Sequence, residues 1–177
     1  MIKKIENNLR EFVYGGMDGA VTTFAVVTGA AGANLSSSVI LILGFANVFA
    51  DGFSMAVGSY LSEKSDQDLS MSKGKTVKED HESPIGASIA TFVSFIMVGF
   101  IPLSVYTFDY IFKLGLGTDA LVYSVILTLV AFAAIGYLRG KITKISRSRA
   151  IVESVGLGLA AATISFVVGN LLERVIS

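Results

Sequence analysis

Residues 41–62, LILGFANVFADGFSMAVGSYLS, decide the fold class. The stretch is apolar for most of its length, and about 20 such residues in a helix cross the ~30 Å hydrocarbon core of a bilayer. Asp51 stands in its middle. A carboxylate at the centre of a membrane span costs about 2.5–3.5 kcal/mol on insertion scales, so such residues usually face a cavity, a partner or an ion. The segment therefore predicts a membrane-spanning helix whose single acid has a function.

Composition extends this interpretation to the whole chain of 177 residues. It is 53% hydrophobic and 16% charged, whereas soluble domains carry about 25% charged residues. Each predicted span is a long apolar run, and together these are residues 13–33, 38–61, 85–106, 121–138 and 150–172. We therefore expect an all-α integral membrane protein with five transmembrane helices, forming a single domain over residues 1–177, with the lipid bilayer as its surroundings.

The distribution of basic residues predicts the orientation. With five spans, twelve of the 14 Lys and Arg residues fall on one side of the membrane, and only Lys113 and Arg174 fall on the other. Cytoplasmic loops carry the excess of positive charge. The N-terminus, residues 62–83 and residues 139–149 are thus expected to be cytoplasmic, and the C-terminus outside. The chain has no cysteine, which excludes disulfides and thiolate metal sites, and we expect no nucleic-acid partner.

Two polar stripes with helical spacing lie in the first two spans. Residues spaced three or four apart share one face of a helix, and the stripes consist of Glu11, Tyr14, Asp18 and Thr22 in one helix and Asn47, Asp51, Met55 and Ser59 in the next. Oxygen ligands suit divalent cations, and a thioether favours a softer ion such as ferrous iron over magnesium or calcium. The spacing therefore predicts a transition-metal path with Asp18, Asp51, Met55 and Asn47 as its main residues and Glu11, Thr22 and Ser59 as accessory residues.

Structural interpretations of the same residues remain open at this point. Asp51 could hydrogen-bond Asn47 or a neighbouring serine, and Met55 could simply fill a gap in the core. Glu153 follows Arg147 and Arg149 closely and is expected to be an interfacial ion-pair residue. Small residues at small-xxx-small spacing permit close helix packing, and here these are Gly15, Gly16, Gly19 and Gly52.

Four segments resemble helices of the vacuolar iron transporter family. They are VYGGMDGAVTTFAVVTGAAGA (13–33), LILGFANVFADGFSMAVGSYLS (41–62), PIGASIATFVSFIMVGFIPL (84–103) and GLGLAAATISFVVGNLL (156–172). The resemblance implies five spans per subunit, a homodimer with the ion path at the subunit interface, and export of ferrous iron or divalent manganese from the cytosol in exchange for protons. It also implies that Asp18, Met55 and Asp51 belong to this path, with no cofactor and no enzymatic activity.

The chain departs from the family pattern in two places. About 20 residues, 62–83, stand where other members have a long metal-collecting cytoplasmic segment, and Ser59 stands where glutamate is frequent. The chain thus resembles a short bacterial-type member, expected in the cell membrane of a prokaryote. In the implied mechanism, Asp18 faces its mate across the dimer axis, where metal and proton compete, while the glycines let the helices slide.

Two alternatives come from other functional classes. Paired intramembrane aspartates would also suit an aspartyl-type enzyme that uses Asp18 and Asp51 as its dyad, although no G-x-S-x-G or H-E-x-x-H motif accompanies them. A membrane subunit that does not transport is the other alternative.

Overall fold

A computed structural model describes residues 2–74 and 83–176, with side chains described from residue 11 onward. This part of the chain is all-helical and contains no strand. Its five helices are α1 (Ile2–Gly32), α2 (Ser37–Ser72), α3 (Pro84–Phe112), α4 (Asp119–Thr143) and α5 (Arg147–Ile176). The predicted all-α class and the number of helices are confirmed.

Local chemistry sets several of the helix ends. Ser83 caps α3, its hydroxyl accepting a hydrogen bond from the Gly86 amide at 3.5 Å, and Pro84 occupies the first turn, where a missing N–H costs nothing. At the other end of α3, Lys113 adopts a left-handed conformation with φ 53°. The Asp109 carboxylate then accepts from the Leu116 amide at 3.0 Å. These contacts turn the chain sharply between α3 and α4.

Four helices, α2 to α5, are long and apolar enough to cross a membrane. The protein is an integral membrane protein. α1, which covers the predicted span 13–33 except for its last residue, is not among these four, and it carries Glu11 and Asp18. The packing explains why its composition differs, since α1 contacts each of the other four helices. A helix surrounded by protein needs fewer apolar residues than one surrounded by lipid.

The core follows α1 along the bundle in two clusters. One contains Ala20 and Phe24 of α1 with Phe132 of α4. The rings of Phe24 and Phe132 meet edge to face with centroids 6.1 Å apart. The other contains Val27 with Ile40 of α2 and Leu103 of α3. Both clusters bury side chains of α1 against later helices, so α1 is the axis of the fold.

The predicted polar connection 62–83 is partly helical. α2 continues without a break to Ser72, so the first half of this connection is a helical extension of α2. Residues 75–82, which include His81, lie outside the described part of the chain. α2 therefore projects well beyond its apolar stretch at the end of the bundle where α1 and α3 begin.

The predicted orientation can be tested with two matched positions. Lys113 and Lys144 end α3 and α4 at opposite ends of the bundle, are both exposed, and both have left-handed backbones with φ of 53° and 56°. Because the chain has no native cysteine, we expect a membrane-impermeant maleimide to label Lys113→Cys on intact cells and to label Lys144→Cys only after lysis. The opposite labelling pattern would show that the orientation in the membrane is the reverse of the predicted one.

Candidate functional site

The two polar stripes meet in one antiparallel register. The carboxylates of Asp18 on α1 and Asp51 on α2 are close enough to repel each other. Seven residues back along α1 is Glu11, and eight residues forward along α2 is Ser59, about two helical turns in each case. Thr91 of α3 joins this second pair, because its hydroxyl oxygen lies 3.1 Å from Glu11 Oε2 and 3.4 Å from Ser59 Oγ. The two stripes therefore face each other.

The same register places Thr22 toward Asn47 at the deep end of the stripes. Thr22 donates its hydroxyl proton to the backbone carbonyl of Asp18 at 2.9 Å, so its polar group is engaged within α1. The side-chain nitrogen of Asn47 is buried and has no hydrogen-bond partner among the described residues. Buried amide groups are usually hydrogen-bonded, so the Asn47 side chain is an exception at this place.

A cavity of about 840 Å³ opens at one end of the stripes, and we call it the vestibule. Met55 and the accessory candidates Glu11 and Ser59 belong to its lining. Asp18 and Asp51 lie deeper, roughly one helical turn from Met55 along the stripes. The full lining consists of Glu11, Val13, Tyr14, Met17, Met55, Gly58, Ser59, Ser62, Glu63, Asp66, Thr91, Ile135, Arg139, Ile142, Thr143, Ser154 and Leu157. The vestibule occupies the end predicted to face the cytoplasm.

The two walls of the vestibule differ in charge. Glu63 and Asp66, on the extension of α2, add two carboxylates to Glu11. The opposite wall belongs to α4 and α5 and carries Arg139 and the hydroxyl of Ser154, which is buried without a hydrogen-bond partner in the described structure. Among the described residues, acids thus outnumber bases in the lining. A cleft with such a lining and low-dielectric walls concentrates cations.

Sequence reasoning missed several of these residues. Thr91 had no signal, because a single threonine in an apolar helix is ordinary. Glu63 and Asp66 fall in the connection 62–83, and their spacing along a continued α2 is the signal that could have placed them beside Ser59. Arg139 contributes to the sequence analysis only through the charge that predicts the orientation.

The predicted packing glycines all contact α3. A Cβ on Gly19 would collide with the backbone carbonyl of Phe95, and one on Gly15 would lie 2.8 Å from the carbonyl oxygen of Thr91. Gly16 packs against Val98, and Gly52 of α2 packs against the Phe95 ring. Only glycine allows backbones to approach this closely. The approach of α1 to α3 is what brings Glu11 within reach of Thr91.

The acids are distributed along a route and are not gathered around one point. In the described part of the chain, no three or more His, Asp or Glu side chains are arranged to hold a metal ion together. Carboxylates follow one another from the vestibule to Asp18 and Asp51.

Comparison with known proteins identifies the family. The model of the VIT family matches residues 9–80 and 69–170. The chain belongs to the VIT family. VIT family members are transporters and not enzymes, so the interpretation of Asp18 and Asp51 as a proteolytic dyad is not supported.

Several curated plant and protozoan proteins are similar to this VIT family member. Vacuolar iron transporter homolog 4 of Arabidopsis thaliana is 32% identical over 139 residues, covering 75% of this chain and 69% of the relative. Vacuolar iron transporter 1 of the same plant is 25% identical over 221 residues, covering 94% and 86%. Vacuolar iron transporter of Toxoplasma gondii is 45% identical over 61 residues, covering 34% and 20%.

The matches also locate a difference in length. The alignment with vacuolar iron transporter 1 runs over 221 positions, more than the 177 residues of this chain, so that relative contains insertions. The two stretches matched by the family model overlap at residues 69–80, where α2 ends and the connection to α3 begins. This is the connection predicted to be short.

Proposed function

We propose that this VIT family member exports ferrous iron or divalent manganese from the cytosol in exchange for protons. The observation that supports the proposal is that oxygen and thioether side chains follow one another from the vestibule to Asp18 and Asp51. Its relatives are vacuolar iron transporters and a homolog of them, which supports a transition metal as the cargo.

The vestibule acts first, by attracting the cation. Glu11, Glu63 and Asp66 give its lining a negative charge. Met55 lies between these acids and the deeper carboxylates and offers a thioether. Ferrous iron accepts such a ligand more readily than magnesium or calcium do. Selection against the abundant hard cations would therefore occur at Met55.

Exchange with protons would occur at the carboxylate pair. Asp18 and Asp51 repel each other when both are charged. Either a proton or a divalent cation relieves this repulsion, so the two compete for the same place. Arrival of metal from one side then releases protons, and arrival of protons from the other side releases metal. Antiport needs this competition.

We further propose a homodimer in which α2 faces its mate, beside the ion path. Among the described helices, α2 contacts only α1 and α3. One exposed face of α2 carries small residues at every fourth position, namely Ala46, Ala50, Ser54 and Gly58. Small residues at this spacing permit close packing of membrane helices. Asn47 and Asp51 adjoin this face, so a second copy would complete their surroundings.

The short connection 62–83 would replace a metal-collecting domain with acids on α2 itself. Glu63 and Asp66 lie one to two turns beyond Ser59, where a family glutamate is frequent, and both line the vestibule. They would compensate in part for the missing carboxylate. A chain of this short, bacterial type is expected in the cell membrane of a prokaryote.

Uptake into proteoliposomes with an imposed pH gradient tests the function directly. We expect wild-type protein to accumulate both metals only when the gradient is present. Met55→Leu keeps the side-chain volume and removes the thioether, and we expect iron uptake to fall about fivefold and manganese uptake less, since the softer ion depends more on sulfur.

Met71→Leu is the matched control, because Met71 is exposed near the end of α2, outside the vestibule. It should transport both metals at the wild-type rate. Gradient-independent uptake would contradict the antiport, and no uptake of either metal by folded wild-type protein would favour the non-transporting subunit.

A further inference from the structure

Arg139 is the one cationic side chain that the described structure places in the vestibule lining. Its Nη1 lies 3.1 Å from Glu153 Oε2, across the contact between α4 and α5. The other carboxylate oxygen, Glu153 Oε1, accepts from Arg149 Nε at 2.9 Å. One carboxylate therefore bridges two guanidinium groups. The nearby Arg147 instead lies over the Tyr137 ring, 5.2 Å from its centroid, and takes no part in this bridge.

The two ion pairs of Glu153 differ in their exposure to water. The side chains of Arg139 and Glu153 are 37% and 36% exposed, whereas that of Arg149 is 77% exposed. Solvent screens the Arg149 pair, and a surface i,i+4 pair of this kind contributes little to stability. The Arg139 pair is better shielded and adjoins the vestibule. Arg139 brings this pair to the edge of the vestibule.

A free guanidinium in this position would oppose the entry of metal. Glu11, Glu63 and Asp66 of the lining attract cations, and an uncompensated positive charge on the opposite wall would repel a divalent ion and compete for the same carboxylates. Two charges in a partly buried cleft interact over distances that water alone would screen. Pairing with Glu153, which Arg149 shares, offsets part of the charge of Arg139 and holds its guanidinium group against α5.

We propose that Glu153 is a positioning residue that keeps Arg139 out of the ion route and thereby sets the affinity of the vestibule for divalent cations. The proposal rests on the proposed transport function. It gives Glu153 and Arg139 roles beyond an interfacial ion pair, although neither is a ligand of the metal. An ion pair that only joined α4 to α5 would stabilise the protein, and its loss would not change the affinity for divalent cations.

Three variants separate these roles through KM and the maximal rate of manganese uptake. Glu153→Gln frees Arg139, and we expect KM to rise about tenfold while the maximal rate changes by less than about twofold. Arg139→Gln leaves Glu153 paired with Arg149 and should lower KM below the wild-type value. The double variant, Glu153→Gln with Arg139→Gln, has no unpaired Arg139 guanidinium group. Its KM should therefore return to the wild-type value or below it.

Lys141→Gln is the matched control, because Lys141 lies exposed on α4 outside the vestibule. It should leave KM unchanged. Raising the salt concentration should shrink the difference between Glu153→Gln and wild type. An unchanged KM in Glu153→Gln, or an equal rise in the double variant, would overturn the proposal. If Glu153→Gln does not fold, Arg139→Gln decides, and a KM at or above wild type would overturn it.

Calorimetric titration of the purified protein with Mn²⁺ keeps this test separate from the transport proposal. Absence of wild-type uptake would count against transport alone. The order of Mn²⁺ affinities, weakest in Glu153→Gln and strongest in Arg139→Gln, would still support the electrostatic role, and equal affinities would refute it.

Discussion

Asp18→Asn is expected to reduce metal uptake by about 100-fold or more, to background, because a divalent ion loses one of the two facing carboxylates in a partly buried place. Asn has nearly the shape of Asp but has neither a formal charge nor a titratable proton. The variant should insert into the membrane at least as well as wild type, since a charge near the middle of a span is costly. The measurement is the initial rate of iron and manganese uptake, with and without a pH gradient, at matched protein levels.

Asp119→Asn supplies the control for this change. Asp119 is an exposed acid in the first turn of α4, away from both stripes. Its substitution removes the same charge and should leave uptake at the wild-type rate. Full proton-driven uptake by Asp18→Asn would take Asp18 out of the ion path and leave Asp51 as the remaining carboxylate of the pair.

The largest effect on stability is expected from Gly19→Val. A Cβ at this position would meet the backbone carbonyl of Phe95 and lie 3.0 Å from the Phe95 Cα, and backbone cannot move aside as a flexible side chain can. The α1–α3 contact would have to open. We expect the free energy of unfolding to fall by at least about 3 kcal/mol and the Tm by about 10 °C. Thermal unfolding of the detergent-purified protein measures both.

Gly156→Val is its counterpart on α5. A Cβ on Gly156 would meet no heavy atom within 4 Å, so valine has room there. This variant makes the same change in helix propensity without the steric clash, and its Tm should stay within a few degrees of wild type. A Tm for Gly19→Val equal to that of Gly156→Val would contradict the close packing of α1 on α3.

The helices were predictable from sequence because long apolar runs have few alternatives in a membrane. Residues 38–61 and 85–106 lie wholly inside α2 and α3. The extent of α2 was less certain, since the polar residues after Leu61 suit either a helix or a loop. The central position of α1 depends on tertiary packing, although the acids and glycines in its sequence already distinguished it from a helix exposed to lipid.

The candidate site was predictable only where periodicity within one helix sufficed. The i, i+4 spacing of Asp51 and Met55 placed both on one face, and the structure sets Asp51 against Asp18 and Met55 in the vestibule. Thr91 and Arg139 could not be found in this way, because each meets the site through a different helix. The contact of Thr91 with Glu11 joins residues 80 positions apart in sequence. Spacing along a chain says nothing about such pairs.

The central position of α1 imposes an order on biogenesis. α1 is synthesised first, yet the partners that bury Phe24 and Val27 come from α2, α3 and α4, which are synthesised later. Until those helices leave the ribosome, Glu11 and Asp18 have only lipid or the insertion machinery around them. The nascent first helix must therefore be retained at the translocon, or shelter at the membrane surface, until its neighbours arrive. Assembly of this bundle is therefore completed around the helix that is synthesised first.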